Sequence, residues 1–280
     1  MRSFTLGSVA VRVGIVLLCV LWFVPTLGLL ISSFRDEADV KSSGWWTVIT
    51  DPFSQWTLDS YSQVLESGMA NAFVNSIVVS VPATVLPIMI AAFAAYAFTF
   101  MRFPGRNVLF MVIVGLLVVP LQVAFVPLLN LFGLYNLNGS FLAVWLAHTA
   151  FGMPLAVFIL RNYMATLPQE IIESAEIDGA SHYQTFWRLI VPMSVPALAA
   201  FAIFQFLWVW NDLLVALIFL GAGDNEVVTI TLRDLIGDRG QEWHLLTAGA
   251  FITMTVPLIV FFSLQRYFVR GLLAGSVKGG

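Results

Sequence analysis

The sequence predicts an all-α integral membrane protein crossing the bilayer about six times. Two observations carry that prediction. Of 280 residues, 59% are hydrophobic and only 10% charged, where a soluble domain carries roughly a quarter charged residues. The apolar residues also fall into stretches long enough to span, at roughly 13–33, 72–100, 107–129, 141–160, 189–221 and 246–265, separated by charges or turn formers. A spanning helix needs about 20 mainly apolar residues, so residues 1–280 read as a single transmembrane domain.

The first stretch follows Arg2 and Arg12, as in a secretory signal. Its apolar run is longer than a signal core, and ISSFRDEADV offers no small-residue cleavage site. It reads as a retained first span. The segment 34–71 carries Trp45, Trp46 and Trp56, which suit either an interfacial aromatic belt or contact with an external partner. Prolines recur within the spans, at Pro25, Pro82, Pro87, Pro120, Pro127, Pro154, Pro192, Pro196 and Pro257. Each removes a backbone donor and favours a kink. The stretch 189–221 is long enough to hold a tilted or broken helix.

Lysine and arginine are retained preferentially on the cytoplasmic side. With the amino terminus inside, nine of the thirteen basic residues become cytoplasmic: Arg2, Arg12, Arg102, Arg106, Arg161, Arg188, Arg266, Arg270 and Lys278. Only Arg35, Lys41, Arg233 and Arg239 fall outside, beside eleven acidic residues in 34–71 and 221–245. Both termini are therefore predicted to be cytoplasmic.

The net charge of −3 argues against nucleic acid as a partner. A single cysteine, Cys19, excludes an intrachain disulfide and a thiolate metal site, and His148, His182 and His244 are far apart in sequence. Neither lysine, Lys41 or Lys278, follows a glycine, so no GxxxxGK[ST] phosphate loop exists. No cofactor or metal is expected on this chain. Polar groups inside a membrane are costly and mark candidate sites. Here they are Asn75 with Ser76, Gln122, His148, Gln205 and the pair Asn211 and Asp212, which supplies the only acid within the predicted spans. Interhelical hydrogen bonding is the alternative role for each.

One sizeable cytoplasmic connection remains, RNYMATLPQEIIESAEIDGASHYQTFWRLIVP. Over 163–188 it reads as a helical hairpin. Pro168 suits a helix start, Ile171, Ile172 and Ala175 share a face, Gly179 ends the first helix, and Ser181 caps the second. Ser174, Ala175, Gly179, Ala180 and Ser181 are small enough for a partner to approach closely, and Glu173 and Asp178 offer charges to it. A solvated surface hairpin would have a similar composition.

The stretch ESAEIDGASHYQTFWRLIVP resembles the cytoplasmic loop of permeases in binding-protein-dependent ABC importers. That pattern is Glu-Ala-Ala, three residues, Gly, about nine residues, then Ile-x-Leu-Pro. Glu173, Ala175, Asp178, Gly179 and Pro192 match it, while Ser174 stands for alanine and Val191 for leucine. FVNSIVVS, VPLLNLFGLYNLNGSFLAVWLAHTAFGMPLAVFILRNYMATLPQEI, WNDLLVALIFL and QRYFVRGLLAGSVKGG are similar to the maltose-transporter G-type branch of sugar permeases, in carbohydrate uptake family 1.

The resemblance implies a type I ABC importer permease fold with six transmembrane helices in a bacterial or archaeal cytoplasmic membrane. It implies a second homologous permease subunit, two copies of a cytoplasmic ATPase that uses ATP and Mg, and an external sugar-binding protein. Glu173, Ser174, Ala175, Asp178, Gly179 and Ala180 would dock on an ATPase and transmit its closure. The stretch from GQEWHLLTAGAF onward is similar to permeases for α-glucosides, which points to an α-glucoside or short oligosaccharide. An ion-coupled secondary carrier is the alternative, and it would call for intramembrane charges and internal repeats. A membrane-embedded enzyme would require clustered catalytic groups that the sequence lacks.

Overall fold

The computed structural model describes residues 6–50, 55–221, 223–236 and 242–276, with side chains over 9–50, 55–221, 223–236 and 242–266. Arg2, Arg239 and Lys278 from the charge count lie outside the described residues, as does the side chain of Arg270. The described residues form helices and no strand. In chain order these are α1 (Leu6–Ser33), α2 (Glu37–Ser42), α3 (Asp59–Val64), α4 (Ala70–Phe100), α5 (Arg106–Gly115), α6 (Leu121–Leu134), α7 (Phe141–Met164), α8 (Gln169–Ile177), α9 (His182–Thr185), α10 (Val191–Trp210), α11 (Leu214–Phe219), α12 (Val228–Asp234) and α13 (Trp243–Ser276).

Among the described residues, five helices are long and apolar enough to cross a membrane: Val9–Ser33, Asp59–Phe100, Phe141–Met164, His182–Trp210 and Trp243–Arg266. A sixth crossing is made if Arg106–Val118 and Leu121–Leu134 together form one span. The six-helix expectation stands, with three corrections to its details. The predicted span 107–129 is not one helix, because its two halves meet at 102°. Val119 is extended, with φ −75° and ψ 121°. Proline crowds the preceding residue out of the helical region, and Pro120 does so here. The predicted second span begins earlier, near Asp59, and is interrupted at Gly68, where φ is +99°. The predicted fifth span, 189–221, starts earlier and stops at Trp210, after which α11 begins separately.

The chain gathers into two compact units, one comprising Met1–Ala70 with Thr231–Thr255 and the other Asn71–Ile230 with Val256–Gly280. In the first unit α1 is apolar on all sides and exposed along most of its length; Trp22 is 79% exposed. A helix satisfies its own backbone, so such a surface suits lipid or an apolar partner. The 34–71 segment is far from featureless. Trp45 packs on α1 at Gly28, where any Cβ would lie 2.6 Å from the indole nitrogen. The Ser33 and Tyr61 hydroxyls lie 2.8 Å apart, and Trp46 and Trp56 remain exposed. Arg35, counted from sequence as one external charge, is buried and reaches Asp39, Ser43, Thr47 and Gln55.

The second unit has two apolar cores. One joins α4, α6, α7 and α11 through Val79, Phe125, Phe132, Val144 and Phe219. The other packs α4, α7 and α10 with the hairpin, through Tyr96, Leu160, Ile172, Phe186 and Phe201. Small residues, among them Ala91, Ala95 and Ala156, are fully buried in this second core. That is how membrane helices gain packing when lipid removes the hydrophobic drive between them.

Candidate functional site

The hairpin is built by local rules. Pro168 precedes α8 in an extended conformation, and α8 buries Ile172 and Ala175 against the second core while Ile171 is half-buried. The helix ends in a Schellman motif: the Ala180 N–H donates to the Ala175 carbonyl at 2.9 Å, and the Gly179 N–H to the Glu176 carbonyl at 3.0 Å. This closure places Gly179 at φ +76°, a region that disfavours side chains with a Cβ. Ser181 then opens α9 with a reciprocal capping box to Gln184.

Of the predicted docking residues, Glu173, Ser174, Asp178 and Gly179 are exposed and Ala180 is half-buried. Ala175 faces inward, because it shares the apolar stripe of α8 with Ile172. A Cβ built on Gly179 meets nothing within 4 Å. Sequence reasoning passed over Ile177, 86% exposed, and Tyr183, 70% exposed. Both lie off the buried stripe, which is the signal that could have marked them. Together they add two apolar knobs to an acidic, small-residue surface.

A third missed residue is Tyr96 of α4, whose hydroxyl lies 3.0 Å from Nδ1 of His182 in the hairpin. Phe186, in the π turn following α9, stacks on Phe93 at 4.4 Å and meets Tyr96 edge-on at 5.5 Å. The hairpin is thereby joined to α4 as well as to the helix it leads into. Tyr96→Phe keeps the ring and removes the hydroxyl. It is expected to raise amide hydrogen exchange over His182–Thr185 while leaving the rest of the chain protected. Unchanged exchange there would show that the bond does not hold the hairpin to α4.

The other predicted residues separate into two groups. Asn75 donates to the carbonyls of Asp224 at 3.1 Å and Glu226 at 2.9 Å, and Ser76 accepts the Val228 N–H at 2.9 Å. They anchor the 223–228 segment to α4. Gln122 is exposed in the first turn of α6. Asn211 and Asp212 are not buried within a span, as expected from sequence, but occupy the gap between α10 and α11. The exposed Asn211 amide donates to the Leu207 carbonyl at 2.7 Å, and the Asp212 carboxylate accepts the Val215 N–H at 2.6 Å. The Asp212 carboxylate thus satisfies an N–H that a helix start leaves free, whereas the Leu207 carbonyl also accepts the Asn211 backbone N–H at 3.2 Å.

His148 and Gln205 are the interior pair. His148 is buried with its ring perpendicular to Trp208 at 5.2 Å, and its Nδ1 has no hydrogen-bond partner. Gln205 is buried and donates through Nε2 to the Ala83 carbonyl at 3.2 Å, while its Oε1 has no partner. A small void links His148 to Ser76, Ser80 and Asp212. No group of three or more His, Cys, Asp or Glu side chains that could hold a metal occurs among the described residues.

The described residues thus form a multi-span helical chain with a small-residue, acidic hairpin and isolated polar groups in its interior. Residues 83–273 match the family of binding-protein-dependent transport system inner membrane components, and the chain belongs to that family. It is 58% identical over 272 residues to the osmoprotective compounds uptake permease protein GgtD of Synechocystis sp., covering 96% of this chain and 91% of the relative. It is 45% identical over 372 residues to the alpha-glucoside transport system permease protein AglG of Rhizobium meliloti, covering 97% of each. The arabinooligosaccharides transport system permease protein AraQ of Halalkalibacterium halodurans is 35% identical over 257 residues, with 91% of each chain covered. Among solved structures, a chain of a bacterial alginate ABC transporter in complex with an alginate pentasaccharide-bound periplasmic protein superposes with a TM-score of 0.54 at 14% identity, covering 91% of this chain and 92% of that one. The last likeness is one of fold.

Proposed function

We propose that this chain is a permease subunit of an ATP-driven sugar importer. It pairs with a second homologous permease, receives solute from an external binding protein, and is driven by two copies of a cytoplasmic ATPase that hold ATP and Mg. The observation carrying this reading is the hairpin: a Schellman closure at Gly179 with open space above it, flanked by exposed Glu173, Ser174, Ile177 and Asp178. Such a surface admits a partner backbone to close range and offers it charge and apolar contact. The solute is a neutral polyhydroxylated compound, an α-glucoside or short oligosaccharide. Relatives named for alpha-glucosides and arabinooligosaccharides support that class. An ion-coupled carrier has less support, since Asp212 is engaged in capping α11.

Uptake of α-glucosides into vesicles should require both ATP and the binding protein, and an ion gradient alone should not drive it. Uptake on a gradient without ATP would overturn the proposal. The basic-residue asymmetry further predicts both termini inside. In a chain whose Cys19 is replaced by serine, Leu58→Cys, at an exposed position, should react with an impermeant thiol reagent from outside. Gln169→Cys, also exposed, should react only after the membrane is opened. External labelling at Gln169 would reverse the orientation.

A further inference from the structure

Between Glu66 and Glu170 the sequence contains no acidic residue, while it carries Arg102, Arg106 and Arg161. Arg102 follows the end of α4 and Arg106 opens α5, so both stand where one candidate span leaves off and the next begins. With Phe103 and Asn107 they line an open cavity of about 420 Å³. The turn around it is held in shape. Phe103 and Phe110 meet Phe98 of α4 at 5.8 and 5.6 Å between ring centroids, and Arg106 Nη1 donates to the Met101 carbonyl at 3.0 Å. Arg161 of α7 places its guanidinium 5.0 Å from the centre of the Phe110 ring, which is one turn along α5 from Arg106 on the same face. Its Nε is buried without a hydrogen-bond partner. None of the three arginines forms an ion pair among the described residues.

We propose that this cavity binds the phosphate of an anionic phospholipid headgroup. The Arg102 and Arg106 guanidiniums donate to the phosphate oxygens, a pairing that their planar forks suit, and the Asn107 amide adds a further donor. Arg161 strengthens the positive potential from one turn deeper. The surface beyond the cavity selects a lipid over a free phosphate. Directly after it α5 exposes Val108, Leu109, Met111 and Val112, so acyl chains have an apolar face to lie along while the headgroup occupies the cavity. Basic pockets on the cytoplasmic side take such headgroups, and the basic-residue asymmetry predicts that side for Arg102 and Arg106. A bound lipid supplies the counter-charge that this stretch of chain lacks and ties the α4–α5 turn to the bilayer. This inference does not depend on which solute the chain moves.

The test uses the permease purified in detergent with its companion subunits, and dioleoyl phosphatidylglycerol and dioleoyl phosphatidylcholine as probes. Native mass spectrometry counts the lipids retained as each is titrated into the micelles. The unsubstituted protein is expected to retain phosphatidylglycerol in preference to phosphatidylcholine. Arg102→Gln, at an exposed side chain, should weaken phosphatidylglycerol binding roughly five-fold, the scale of one basic residue at a membrane surface. Adding Arg106→Gln should weaken it further, and phosphatidylcholine should be unaffected by either change. Arg188→Gln removes the same charge at an exposed position outside the cavity and should leave phosphatidylglycerol binding as it was. Equal binding in all variants would overturn the site, and a loss in Arg188→Gln as large as in Arg102→Gln would reduce the effect to net charge and overturn it too. Inorganic phosphate at matched concentration should not displace the lipid. Displacement by phosphate would assign the cavity to a free anion and overturn the lipid assignment.

Discussion

Under the proposed import function, Gly179→Asp and Glu173→Lys are each expected to yield a membrane-inserted permease that binds the ATPase weakly and transports poorly. At Gly179 the backbone is left-handed and the Cβ direction is open. Within this chain the substitution therefore meets only backbone strain, about 1–2 kcal/mol, and no clash. On the proposed docking the larger effect is at the partner surface, where a side chain would occupy the open space above Gly179 and add negative charge beside Asp178. Glu173 is exposed on α8, away from the buried stripe of Ile172 and Ala175. Its reversal removes a charged contact worth roughly 1.5–3 kcal/mol when partly shielded, or about one to two powers of ten in affinity. Co-purification with the ATPase and ATP-driven uptake would be measured together. Association and uptake at the original level in both variants would make the hairpin a connector only.

The spans were legible because bilayer thickness imposes a length that uncharged runs disclose directly. Their interruptions were not. Val119 and Pro120 sit inside continuous apolar sequence, so hydropathy passes through a 102° break that only the proline marks. Asn211 and Asp212 looked like polar groups buried in a helix because hydropathy does not distinguish an intramembrane charge from a cap. Side chains that bond their own backbone favour helix ends over helix interiors, and that reading would have placed the break. The hairpin was legible residue by residue at Pro168, Gly179 and Ser181, since capping is local. The inward facing of Ala175 follows from its apolar stripe, whereas the Tyr96–His182 bond joins residues 86 apart in sequence. Pairings at such separation depend on tertiary packing, which no local pattern encodes. Gln205 and His148 were visible as polar residues in apolar runs, but their unpaired atoms and the close approach of Gly152 to Gln205 are properties of the packed helices.

Arg35→Met is expected to loosen the segment from Asp36 to Ile49 while leaving the spans inserted. The Arg35 guanidinium is 1% exposed. It donates from Nε to Gln55 Oε1 at 2.9 Å, from Nη1 to the Ser43 carbonyl at 3.2 Å and from Nη2 to the Asp39 carbonyl at 3.0 Å. These acceptors close α2 and the turn that follows it, so one planar fork orders a stretch with little apolar core of its own. Methionine fills similar volume but removes all three donors; the Asp39 carbonyl keeps the Ser43 N–H and Gln55 Oε1 keeps the Thr47 hydroxyl, while the Ser43 carbonyl is left without a donor, at a cost of about 1–3 kcal/mol. Arg35→Lys keeps the charge but not the fork and should be intermediate. Lys41→Met is the control, because the Lys41–Glu37 pair is exposed on both sides and such pairs contribute little. Amide hydrogen exchange over residues 36–49 should rise strongly in Arg35→Met, less in Arg35→Lys and not in Lys41→Met. If this segment also receives the binding protein, stimulation of ATP hydrolysis should fall in the same order. Equal exchange in all three variants would mean that the guanidinium is a passenger in a fold held by Trp45 on Gly28 and by the Ser33–Tyr61 contact.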